Sequence, residues 1–230
     1  MSDFDAADCL ARYRALVRVQ PESFANPTGD IYEILLDDER MERARCDARA
    51  RRDAEGLPNE DVRVGVLARD PYLTVMRDAV RFADGTYGLY NRVLMTSGTA
   101  ILPIFGDNIA LLDRFRHGTR QWHLEAPRGT NSSHASRFED AARELREETG
   151  ARLLELIDLG QLHSSSGCMN EEHQLFLARV DAIGAADRHE AIRAIKMFSI
   201  ALVEGLIADG TITDGPTIAL FLRARLRGHL

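Results

Sequence analysis

Apolar and polar positions follow two different periods along this chain. Over the first sixty or so residues the period is helical. Asp5 to Val17 is amphipathic, and a longer helical candidate runs from Asp30 to Ala54. The second half of that candidate is rich in Arg and Ala with few large apolar residues, so it is expected to be exposed or packed on a partner. Gly56-Leu57-Pro58-Asn59 breaks it. The pattern then shortens towards a strand period. Val62–Ala68, Tyr72–Phe82 and Tyr87–Met95 read as strands, with Asp84-Gly85 as a hairpin turn. Further strand candidates are Ala100–Ile104, Ile109–Phe115 and His173–Val180. Helices are expected at Glu190–Ile195, Ile200–Ala208 and Pro216–Arg227. Mixed strands with helices packed on either side predict an α/β sandwich.

One stretch does not fit an ordinary core pattern. From Gly129 to Ala151 the chain reads GTNSSHASRFEDAARELREETGA. On a helix, Glu144, Glu147 and Glu148 fall at i, i+3 and i+4 and share a face. Phe138, Ala141, Ala142 and Leu145 form a core-facing stripe on another, which would hold the helix still and aim the acids outward. Ser136 and Glu139 have capping-box spacing, and Gly150 is placed to end the helix in a left-handed conformation. A solvated acidic face, with Arg143 and Arg146 as ion-pair partners, is the plain reading. The alternative is a hard divalent cation, Mg²⁺ above all, held between carboxylates that would otherwise repel.

Composition narrows the class. The chain has 230 residues, 45% apolar and 28% charged, which is ordinary globular usage and enough for one core plus an appendage. A formal net charge of −7, with no long Lys/Arg cluster, argues against nonspecific nucleic-acid binding. No run of about eighteen apolar residues suggests a membrane span, and the N-terminus carries acids too early for a secretory signal. Cys9, Cys46 and Cys168 are an odd count without metal-type spacing, which reads as reduced thiols of a cytoplasmic protein.

The order of residues adds more than the charge count. R-E-L-x-E-E-x-G-A, with Gly129 fourteen residues before Arg143, resembles the signature of the Nudix hydrolases, G-x5-E-x7-R-E-U-x-E-E-x-G-U with U apolar. Gly129, Arg143, Glu144, Leu145, Glu147, Glu148, Gly150 and Ala151 stand where that signature wants them, whereas Ala135 replaces its first glutamate. Asp140, on the acidic face, is a partial substitute or simply a solvated acid. Ile109–Arg116 and Trp122–Gly129 resemble the strand and E-L-P-A-G approach of the ADP-ribose and nucleotide-sugar pyrophosphatase branch. Ser166–Glu171 resembles that branch's S-P-G-x-x-x-E loop, and the segment from Gly210 its closing G-x-I-x-D-x-x-T. Ser166 stands where the branch has proline, and Arg114 where glutamine is common, which loosens the link to ADP-ribose in particular.

The resemblance implies a Nudix-type α/β/α sandwich with a mixed sheet. Residues 1–60 would be a helical N-terminal extension, 61–98 a β-rich subdomain that dimerises by strand exchange, and 99–230 the Nudix domain. It implies Mg²⁺-dependent hydrolysis of a nucleoside diphosphate linked to another moiety, with Mn²⁺ as a substitute ion. Glu144, Glu147, Glu148 and the Arg128 carbonyl would hold metal. Glu171 would be the general base or a mobile metal ligand on a flexible loop, with Glu172 as the neighbouring alternative. Arg114, Arg116 and Glu125 would face substrate. Arg143, Gly129 and Gly150 would be structural. The competing reading is a nucleotide-sugar binding or regulatory module on the same fold, its chemistry weakened at Ala135. His134 in the Gly129 loop reads as a solvated histidine rather than a phosphate contact, His163 and His173 as packing or surface residues rather than ligands, Trp122 as core rather than a ring that stacks a base, and Cys168 as a bystander.

Overall fold

The computed structural model describes residues 5–131, 135–185 and 190–230, so His134 lies outside the described residues. The chain forms two compact units, Met1–Met95 with Ser165–Asn170, and Thr96–Ser164 with Glu171–Leu230.

In the first unit, α1 (Ala6–Val19) and α2 (Asp38–Ala54) cover an antiparallel sheet of β1 (Glu33–Ile34), β2 (Gly65–Arg69), β3 (Leu73–Arg81) and β4 (Tyr87–Met95). β3 is its central strand, paired with each of the others. Tyr13, Leu16, Phe24, Val66 and Met76 pack into one cluster, and Leu35, Met41, Ala44, Val64 and Ala79 into another. Asp78 is buried on β3 and is balanced by the Tyr13 hydroxyl and by Arg92, whose Nε lies 2.5 Å from its Oδ2. Burial, followed by the Asp78 charge, pushes the Tyr13 phenol well above its usual range.

The long N-terminal helix starts later than its pattern predicts. Asp37 caps it by accepting from the Arg40 N–H at 2.8 Å. The residues before it are extended, because Asn26 brackets the Ile34 backbone on both its N–H and C=O sides and Ile34 pairs with Val80.

The second unit is an α/β/α sandwich. Its strands are β5 (Gly98–Phe105), β6 (Asn108–Arg116), β7 (Gln121–Glu125), β8 (Arg128–Thr130), β9 (Arg152–His163), β10 (Glu172–Ala182) and β11 (Ile192–Ser199). Its helices are α3 (Arg137–Thr149), α4 (Ile200–Ala208) and α5 (Gly215–Leu226). The sheet runs β11-β6-β5-β10-β9, with β7 on β6 and β8 on β5. Only β5 and β10 pair in parallel among the described strands, so the sheet is mixed. Strand alternation sorts its apolar residues to two faces. Ala100, Leu102, Ile104, Leu175 and Leu177 pack with Val203 of α4 and with Leu220, Phe221 and Ala224 of α5. Ile101, Phe176, Ala178 and Val180 pack on Ala141 and Leu145 of α3.

Glu190–Ile195 was expected to be a helix, but Ile192–Ser199 is strand β11, paired with β6 along its length. Arg193 and Lys196 reach the buried Asp113 at 3.0 and 2.6 Å, and those contacts together with the ladder outweigh a locally helix-favouring composition. β9 lacks a clean alternation and is interrupted by irregularities in its pairing with β10, which hid it from the pattern.

Candidate active site

Helix α3 is fixed before its acids are placed. Ser136 and Glu139 form a reciprocal capping box, and Gly150 closes the helix in the left-handed region at φ 58°. Ala141 and Leu145 are fully buried, while Phe138 in the first turn is 50% exposed and tilts onto Phe176.

The acids do not point into solvent as expected. Asp140 and Glu148 are buried and Glu144 nearly so, and only Glu147 is half exposed. The cause is strand β8, which lies against this face of α3. The Arg128 N–H donates to Glu148 Oε2 at 3.0 Å. A Cβ on Gly129 would come within 2.0 Å of Glu144 Cδ, so only glycine lets that carboxylate rest against the main chain. Arg143 donates to Glu147 at 2.9 Å and to Asp140 at 3.2 Å, and its Nη2 lies 2.8 Å from Glu144. Asp140 is therefore an ion-paired interior group rather than a solvated acid.

Arg114 is turned inward. It pairs with Glu148 Oε1 and with Glu190, and lies 3.9 Å from Glu125. Both oxygens of Glu148 thus meet protein donors. Burial still pushes its carboxyl up to about 7, against the pull of Arg114 and the Arg128 N–H. Burial raises the Glu144 carboxyl as well, opposed by Arg143.

Beyond β8 opens a cavity of about 320 Å³ whose lining includes Arg116, Arg128, Gly129, Thr130, Glu171 and His173. Arg116 Nε donates to the fully buried Glu125 at 2.9 Å, so these residues pair with each other at the cavity's edge. Arg128 pairs with Asp214 at 2.8 Å. Asp214 caps α5, and Thr217 of that helix accepts from the Ala126 N–H, which ties the approach to β8 to the end of the sandwich. Glu171 lines the cavity; Glu172 points elsewhere, to Arg137 at 2.8 Å and Gln161 at 3.0 Å.

His173 had been read as a packing or surface residue. It is buried, with Nδ1 3.1 Å from Ser164 Oγ and Nε2 3.9 Å from Glu171 Oε1. Burial lowers its pKa, with Glu171 acting in the other direction. A residue two positions beyond the candidate base, at the start of a strand, shares its face, and that spacing was the available signal. Asp214 carried no such signal.

The loop before Glu171 is bonded to β4. The Val93 N–H donates to the Cys168 carbonyl at 2.8 Å, and the Met95 N–H to Asn170 Oδ1 at 2.7 Å. Cys168 is exposed, and its Sγ lies 3.4 Å from Ser165 Oγ. Trp122 is not core: it is 46% exposed, edge-on to Phe115, with Arg193 stacked 4.1 Å from its ring centre. His163 is exposed on β9.

Among the described residues, no three His, Cys, Asp or Glu side chains converge into a ready-made metal cluster. The donors on α3 nonetheless suit a hard divalent ion. They are carboxylate oxygens, and the Gly129 cradle brings the Glu144 carboxylate against the main chain.

A mixed sheet between helices, with an acidic helix docked on a glycine-bearing strand, defines the class of this domain. The chain belongs to the Nudix family: the NUDIX domain family model matches residues 95–221, more than half of the chain. The chain is 27% identical over 118 residues to the ADP compounds hydrolase NudE of Escherichia coli (strain K12), a match spanning 50% of this chain and 63% of that relative. A crystal structure of an ADP compounds hydrolase shares the fold, with a TM-score of 0.61 at 22% identity over 73% of this chain and 94% of the other.

Proposed function

We propose that this protein hydrolyses the pyrophosphate bond of a nucleoside diphosphate linked to another moiety, ADP-ribose or a nucleotide sugar. The products are a nucleoside monophosphate and a sugar phosphate, and the metal is Mg²⁺, with Mn²⁺ able to replace it. The observation that carries this reading is one cavity in which Arg116, Arg128 and Glu171 meet the glycine strand that backs Glu144 and Glu148. The names of the matched relatives support the substrate class.

Glu144, Glu147 and Glu148, with the Arg128 carbonyl, would hold the metal. When bound, it supplies charge neutralisation of the diphosphate and of the oxygen that leaves. Arg116 and Arg128 orient the diphosphate by charge-assisted hydrogen bonds. Glu171 takes a proton from the attacking water as the new P–O bond forms and the bridging P–O bond breaks, the pair of electrons leaving with the second phosphate. Arg143 holds the rotamers of Glu144 and Glu147.

A second reading has its own support. Both Glu148 oxygens are engaged by Arg114 and the Arg128 N–H, and Ala135 stands where the signature has a glutamate. A binding or regulatory module would look like this. Incubation with Mg²⁺ and a panel of ADP-ribose and nucleotide sugars, scored for nucleoside monophosphate, separates the two. Turnover of at least one compound supports the hydrolase. Binding without turnover across the panel supports the module. The working assembly in our reading is a cytoplasmic homodimer, which light scattering in solution would report as twice the 25.7 kDa chain mass, whereas a monomer would remove that part of it.

A further inference from the structure

We infer that His173 is a positioning residue that holds Glu171 at the cavity in one orientation, and that Ser164 sets the imidazole tautomer that lets it do so. This rests on the proposed role of Glu171 as base.

Four observations meet at this point. His173 is buried, so its ring nitrogens must find protein partners or pay for their absence. Nδ1 lies 3.1 Å from the Ser164 hydroxyl, and Nε2 faces Glu171 Oε1 at 3.9 Å. Gly98 on β5 leaves the ring its place, since a Cβ there would crowd it at 3.3 Å from His173 Cδ2 and 3.4 Å from Nε2. Ser164, Glu171 and His173 all line the same cavity as Arg116 and Arg128.

The tautomer follows from elementary pairing rules. An Nε2 lone pair facing a carboxylate would set two acceptors against each other. An Nε2–H facing it makes a donor and an acceptor instead. Nδ1 is then the unprotonated nitrogen, and the Ser164 hydroxyl donates to it. The gap to Glu171 exceeds a direct hydrogen bond by only ~1 Å, so a small turn of the carboxylate closes it. Glu171 stands immediately before β10 and is not part of its ladder. A fixed imidazole two residues on is the means of aiming its carboxylate. Glu172, held by Arg137 and Gln161, needs no such aid.

The test is a double-mutant cycle with a spectroscopic arm. His173→Phe removes the N–H donor, and His173→Gln keeps one. We expect His173→Phe to lower kcat roughly 10- to 100-fold with little change in KM, the scale on which misplacing a catalytic group acts. We expect His173→Gln to recover much of that loss, and His173→Phe to add nothing in a Glu171→Gln background. An equal loss in both backgrounds would make His173 a packing residue and overturn the inference. Independently of turnover, ¹⁵N spectra of the imidazole in the wild type should show the Nε2–H tautomer, with a mixed population in Ser164→Ala. An Nδ1–H tautomer in the wild type would overturn the inference even if the hydrolase reading stands. Absence of turnover across the substrate panel would instead remove the hydrolase reading, and the nitrogen spectra would still decide the Ser164–His173 arrangement.

Discussion

Glu171 and Glu172 are adjacent in sequence and differ in everything that matters for chemistry. The first lines a cavity with two arginines, and the second is consumed by Arg137 and Gln161. Glu171→Gln is therefore expected to reduce kcat far more than substrate affinity, and Glu172→Gln to change kcat little. Steady-state kinetics on both variants checks this, and a dead Glu172→Gln with an active Glu171→Gln would reverse the assignment. Gly129 is the other residue on which the site turns. Gly129→Ala would drive a methyl group into the Glu144 carboxylate, at a cost of about 1–3 kcal/mol for overpacking and with displacement of the carboxylate we propose as a metal ligand. We expect a lower melting temperature together with weaker Mn²⁺ binding by titration calorimetry, and unchanged metal affinity would count against Glu144 as a ligand. At this scale the sequence displayed the donors but not their surroundings. The spacing of Glu144, Glu147 and Glu148 was visible, whereas the inward turn of Arg114 onto Glu148 and the Ser164–His173 contact join residues distant in the chain or on neighbouring elements, which periodicity does not report.

Helix α3 is the element whose ends were most legible, because caps are local. Ser136 and Glu139 stand three residues apart and close on each other's backbone N–H groups, and Gly150 takes the left-handed conformation that costs other residues more. Ser136→Ala should cost ~1 kcal/mol in chemical denaturation, with the loss falling on the acidic helix. A change within error would mean that docking against β8 and the sheet fixes the helix without its cap. Elements stabilised by distant pairing were harder to read. β11 has the composition of a helix and becomes a strand because β6 offers it a ladder and Asp113 offers its cations a partner. α2 begins at Asp38 rather than eight residues earlier, because Asn26, well upstream, holds Ile34 extended.

For the molecule as a whole, the buried acid at Glu148 ties stability to pH and to metal. Its folded pKa, about 7, is raised above the ordinary value of 4.5 by burial. The sign follows: this group's contribution is fully present below about pH 4.5 and is lost as pH rises through 7. The metal-free protein should therefore melt at a lower temperature at pH 8 than at pH 5.5, and Mg²⁺ should narrow the difference by stabilising the ionised carboxylate. Glu148→Gln should flatten the pH dependence, and the same slope in mutant and wild type would exclude Glu148 as its source. The α/β class and the acidic helix were legible because both are written in local pattern. The division of the chain, in which Ser165–Asn170 groups with the N-terminal residues rather than with its sequence neighbours, was not. The central claim is that the carboxylates of α3 serve divalent-metal-dependent hydrolysis of a nucleoside diphosphate derivative. Its most direct test is the rate of nucleoside monophosphate release by the wild type and by Glu148→Gln across a Mg²⁺ titration. The account predicts turnover that requires Mg²⁺ in the wild type and falls by orders of magnitude in a folded mutant. Mg²⁺-dependent turnover near the wild-type rate in Glu148→Gln would contradict it.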